Sequence, residues 1–179
     1  MFVRLVFILG GMLSAVIVAV LVLAAARPSD YRVERTVLLK APPEKVYTLI
    51  EDVRRWPDWS MEDEKDPKLK RAFFGPARGT GAGYDWAGGP HSGKGRATIT
   101  EAVPPSRVVV QVQVKEPYED KSTLEIHLSP HDSGTLLRWA ASGGMSYFTK
   151  VTTAFTTMDA VMGPRVEDSL AKLKLLAEG

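Results

Sequence analysis

The sequence contains no cysteine, which excludes disulfides, thiolate nucleophiles and zinc–thiolate sites. Asparagine is absent too, so no N-glycosylation site can form. Nor is there a Lys/Arg block: with Arg4 and Arg27 set aside as flanks of an apolar run, 21 of the 23 basic residues remain against 21 acidic ones. A neutral domain lacks the basic surface that displaces counterions from a phosphate backbone, so no nucleic-acid partner is expected. The three histidines, His91, His127 and His131, have no HExxH-like spacing, and no GxSxG segment occurs. Gly79-Thr80-Gly81-Ala82-Gly83 leads into Tyr84-Asp85-Trp86, a strand pattern, whereas a phosphate loop leads into a helix N-terminus. No metal or cofactor is called for.

What is present begins with an apolar run. From Leu5 to Ala26 the chain carries 22 residues without a charge, which at 1.5 Å per residue is roughly 33 Å and matches a hydrocarbon core of roughly 30 Å. Residues 1–27 are read as a single-pass transmembrane anchor and residues 28–179 as one domain. A cleavable signal peptide is the rival reading, because Ala24-Ala25-Ala26 resembles a cleavage site, but such peptides have shorter apolar stretches, about 7 to 15 residues. Arg27, Arg32, Arg35 and Lys40 outnumber Arg4 on the other side, so the positive-inside tendency leans towards a cytoplasmic domain at the membrane.

Beyond the anchor, residues near Tyr31–Lys40 alternate with period two, as a half-buried strand does, although Arg35 breaks the inner row. Pro43 suits the first turn of a helix striped by Val46, Leu49, Ile50 and Val53. The polar run Glu62–Arg71 reads as a solvated loop and strand edge. Five or six strand patterns follow, clearest at Val108–Val114, Leu124–Leu128 and Leu137–Ala141, with short connections that favour an antiparallel meander. A three-to-four spacing from Val151 through Phe155, Met158, Met162, Val166, Leu170, Leu173 and Ala177 predicts one long C-terminal helix, kinked at Gly163-Pro164. These elements imply an α+β fold in which a curved antiparallel sheet wraps the last helix. One helix does not fill a strongly bent sheet, so a cavity is expected.

Four segments, VERTVLLKAPPEKVYTLIEDVRRWPDWS at 33–60, GTGAGYDWAGG at 79–89, GKGRATI at 93–99 and MDAVMGPRVEDSLAKLK at 158–174, occur in an order that resembles the polyketide cyclase/dehydrase and lipid-transport branch of the START/Bet v 1-like (SRPBCC, helix-grip) superfamily. The resemblance covers nearly all of residues 31–178. It implies a helix-grip fold with a deep, largely apolar cavity for a lipid or other hydrophobic small molecule, and it carries no particular reaction with it. The chain departs from the pattern after Trp59, reading Trp-Ser-Met where Trp-Ser-Pro is usual.

Candidate cavity residues are Trp59, Tyr84, Trp86 and Trp139, with Phe155, Met158, Met162 and Gly163 on the last helix; each also suits ordinary packing. An enzyme built on this chain would use acid–base chemistry, with Tyr84, Asp85, His91 or Arg138 as polar groups, although Arg138 falls on the opposite strand face from Trp139. Three functions are carried forward: membrane-held binding or transfer of a hydrophobic small molecule or lipid, a cyclase or dehydratase, and an interaction module with a filled interior.

Overall fold

The computed structural model describes residues 2–60, 66, 68–89, 92–117 and 119–179; His91 and Glu62–Lys65 lie outside the described residues. Helix α1 spans Phe2–Ala25 and β1 Asp30–Leu39. Helix α2 is Pro43–Glu51, followed by a 3-10 turn at Val53–Asp58. Strands β2 to β7 are Lys70–Phe74, Gly83–Ala87, Lys94–Val103, Arg107–Glu116, Asp120–His131 and Gly134–Gly144. Two helices complete the chain, α3 at Tyr147–Thr152 and α4 at Met158–Glu178.

All seven strands join one antiparallel sheet in the order β1-β7-β6-β5-β4-β3-β2. Irregularities of register between β4 and β5, at Lys94/Gly95 and Ile99/Glu101, bend the sheet as bulges do. The concave face holds the core: Leu39, Ile99, Ile126 and Leu137 from the sheet meet Ile50 of α2 and Leu173 of α4, all fully buried. Each such side chain contributes on the order of 1.5–3 kcal/mol by leaving water. Helix α4 presents Val166, Leu170, Leu173 and Ala177 to this core.

The C-terminal helix is shorter than its apolar spacing predicts. Thr152, Thr153 and Thr157 fall between Val151 and Met158, and their hydroxyls bond to the backbone: Thr152 and Thr153 donate back to the Thr149 carbonyl, and Thr157 accepts from the Ala160 N–H as the cap of α4. Such bonds compete with helix propagation and favour a fresh start. Residues 153–157 therefore form a turn, and Phe155 projects from it 82% exposed. From its cap onward α4 runs through Gly163-Pro164 as one helix.

Arg35 explains its place in the inner row. Its guanidinium crosses from β1 to α4, donating to Asp159 at 2.7 Å and to Glu167 at 2.6 Å. A Cβ on Gly163 would collide with the same guanidinium, so Gly163 is the groove in which Arg35 lies. Asp66 also departs from its expected solvated loop: it is buried, and its carboxylate accepts from the backbone N–H of Gly89 at 2.6 Å and of Lys68 at 3.0 Å, tying the segment before β2 to the end of β3.

The residues Phe7–Ala25 of α1 form the one stretch, among the described residues, long and apolar enough to cross a membrane, with mean hydropathy 2.8. Its end is pinned to α3 and the turn after it. The Arg27 guanidinium donates to the carbonyls of Thr156 and Ala154, both at 2.7 Å, and Lys150 Nζ donates to the Arg27 carbonyl at 3.1 Å.

Candidate functional site

An aromatic wall begins where α2 ends. The last four carbonyls of a helix have no partner within it. Here the Trp56 indole N–H donates to the Ile50 carbonyl at 2.9 Å, and that of Trp59 to the Leu49 carbonyl at 3.3 Å. The 3-10 turn that carries Trp56 and leads into Trp59 is itself capped by Asp52, which accepts from Arg54 N–H at 2.9 Å. With their polar edges satisfied on α2, both rings turn their apolar faces inward.

The wall continues onto the sheet. Trp56 lies 5.8 Å from Trp59 and 5.9 Å, edge-on, from Tyr84 of β3; Tyr84 lies 6.2 Å from Trp86. Trp86 lies over Gly95 of β4, where any Cβ would strike its ring, and its N–H donates to the Ser92 carbonyl at 3.0 Å.

Between this wall, the sheet and α4 lies a hollow of two lobes, each about 280 Å³. One is bounded by Leu69, Arg71, Trp86 and Ser92, the other by Trp59, Leu124, Trp139, Met162 and Leu170; Trp56, Tyr84, Val112 and Arg165 border both. The shared border places the lobes side by side, and together they have the size that small-molecule sites take. The lining is not wholly apolar. Arg71 lies over the Tyr84 ring, 5.2 Å from its centre, and Arg165 of α4 stands where the lobes meet.

The structure thus brings Trp59, Tyr84, Trp86, Trp139 and Met162 together around the hollow. It leaves three expected residues out of the lining. Met158 packs partly buried against the core, Gly163 is covered by Arg35, and Phe155 stands in the exposed turn. The sequence reading missed Trp56, Arg71, Val112, Leu124 and Arg165. Trp56 and Val112 had a signal, in the Trp-Pro-Asp-Trp turn and in the alternation of β5. Arg71 had none, because a charged residue beside Lys70 on a short strand reads as surface.

Among the described residues, the polar groups weighed for catalysis, Tyr84, Asp85 and Arg138, do not converge. Asp85 points to the outer face of β3, where Arg96 donates to it at 2.8 and 2.7 Å; that bonding holds its carboxyl below the usual carboxylate range. Arg138 lies on the outer face of β7 against Glu34. His127 pairs with Glu125 on the outer face of β6, and His131 with Ser133 in the β6–β7 turn. Of these groups, Tyr84 borders the hollow. Among the described residues, no three His, Asp or Glu side chains are grouped to hold a metal ion.

A curved antiparallel sheet closed over one long helix, with an aromatic-walled hollow between them, defines the helix-grip class of α+β proteins. Within that class the chain belongs to the polyketide cyclase/dehydrase and lipid transport family, whose profile matches residues 30–178. No curated protein matches the sequence significantly. Solved structures share the fold. A protein of Chromobacterium violaceum is 18% identical with TM-score 0.57, covering 85% of this chain and 99% of its own. One from Rhizobium leguminosarum is 15% identical with TM-score 0.61, covering 83% and 95%. The Aha1 dimer of Colwellia psychrerythraea is 17% identical with TM-score 0.58, covering 83% and 96%.

Proposed function

We propose that this protein binds a hydrophobic small molecule or lipid in the two-lobed hollow, and that α1 holds it at a membrane while it does so. The observation that carries the proposal is the hollow itself, walled by Trp56, Trp59, Tyr84, Trp86 and Trp139. The family and fold suggest hydrophobic ligands in the same way. Moving ten methylenes out of water contributes roughly 8 kcal/mol before the losses of association, so an acyl chain needs no charged contact to be retained.

Native mass spectrometry of the full-length protein tests this. A discrete hydrophobic adduct is expected to survive purification. Met162→Trp, which fills the Trp59–Trp139 lobe, is expected to abolish it with the far-ultraviolet spectrum unchanged, whereas Phe155→Trp in the exposed turn should leave it intact. A protein that stays empty through a panel of fatty acids, phospholipids and aromatic polyketides would sink the proposal.

A further inference from the structure

We propose that α3 and the turn at residues 153–157 rest in the headgroup layer of a lipid bilayer, so that the Trp86 lobe of the hollow faces the lipid. This rests on α1 spanning that bilayer. It goes further, because an anchored domain can equally stand clear in water on its linker.

The depth follows from one hydrogen bond. The Tyr147 hydroxyl donates to the Leu21 carbonyl at 3.2 Å. Leu21 lies within the apolar run, about 6 Å along the helix from its end at Ala25 at 1.5 Å per residue. Helix α3 therefore stands alongside the last turns of α1, not beyond them, and shares whatever surrounds those turns. Its side chains suit that layer: Tyr147 is 52% exposed, Phe148 53% and Phe155 82%. Aromatic rings gather at the boundary between hydrocarbon and water, with basic groups at phosphate level. Arg27 and Lys150 supply the basic groups, and their bonds across the junction fix the domain's attitude to α1.

Strand register carries this attitude across the sheet. Asp30, next to α1, pairs with Gly144, and neighbouring Gly143 with Ser122. Asp120 pairs with Val114, Val114 with Gly95, Gly95 with Trp86 and Trp86 with Arg71. The Trp86 lobe is thus at the end of the sheet from which α1 departs, while the β6–β7 turn at Asp132 is at the other end. A ligand drawn from the bilayer would enter without crossing water.

The absence of cysteine allows single nitroxide labels in the full-length chain, reconstituted into vesicles of phosphatidylcholine and phosphatidylglycerol. Labels at Val16→Cys, Phe148→Cys, Phe155→Cys and Asp132→Cys are compared for collision with oxygen, which partitions into lipid, and with a nickel chelate, which stays in water. The proposal expects nickel collisions at positions 148 and 155 to be several-fold rarer than at 132, with 16 fully shielded. Shielding at 16 alone, with 148 and 155 as wet as 132, would overturn the docking and leave the anchor standing. Exposure to nickel at 16 would overturn the anchor and the docking with it. Spin–spin broadening at 155 that vanishes on dilution with unlabelled chain would give the face to a second copy and overturn the lipid assignment.

Discussion

Trp86 shows how closely one side chain here depends on its neighbour's lack of one. Its ring occupies the space a Cβ on Gly95 would take, so Gly95→Ala must displace the indole or the strand. Overpacking of this kind costs about 1–3 kcal/mol, and urea unfolding of Gly95→Ala should show a loss in that range together with a shift in tryptophan emission. Gly144→Ala is the control, since a Cβ there meets only the Ser29 carbonyl oxygen at 3.9 Å; its stability should match the parent's. At this scale the sequence was informative where chemistry is local. Two indoles in a Pro-Asp turn and an alternating Tyr-Asp-Trp already point to an aromatic face. Gly163 was opaque for the opposite reason: its role depends on Arg35, far away in sequence, reaching over it. Arg165 likewise sits on a helix face whose direction is decided only by docking.

Among elements, α4 is clamped to β1 by charge as well as by its apolar stripe. Arg35 bonds Asp159 in the first turn of α4 and Glu167 further along. The hydrogen bond from Arg35 lowers the Asp159 pKa, and the two carboxylates raise that of Arg35. A depressed carboxyl contributes stability that is present above its unfolded-state pKa and is lost as pH falls through the lowered folded-state value. The stability difference between the parent and Arg35→Met should therefore be largest near neutral pH and shrink below about pH 4, as urea midpoints at a series of pH values would report. A difference that persists unchanged at acid pH would mean that Arg35 acts by packing alone. Strands β5 to β7 and α2 were legible as elements because their periods of two and of three to four carry apolar side chains to the core. The start of α4 was not, because Val151 and Phe155 keep helical spacing across residues whose hydroxyls end one helix and cap the next.

For the whole molecule, α1 and the domain are joined by specific bonds in place of a free tether. Arg27 is the pivot, through its two donations to the carbonyls of Ala154 and Thr156. Arg27→Gln should loosen α3 and the following turn while leaving the sheet as it was. Hydrogen exchange should accordingly speed up at residues 147–157 and remain unchanged in β4 to β6; uniform acceleration everywhere would instead assign Arg27 a role in global stability. The order of the sheet has a further consequence in time. Strand β1 leaves the ribosome directly after α1, yet its one neighbour is β7, the last strand made. Throughout synthesis β1 keeps open both rows of backbone groups that a growing sheet could capture, and such edges invite wrong partners. The vulnerable moment in this protein's biogenesis is thus the wait for β7, and a nascent chain halted before Gly134 should be the form that most needs a chaperone.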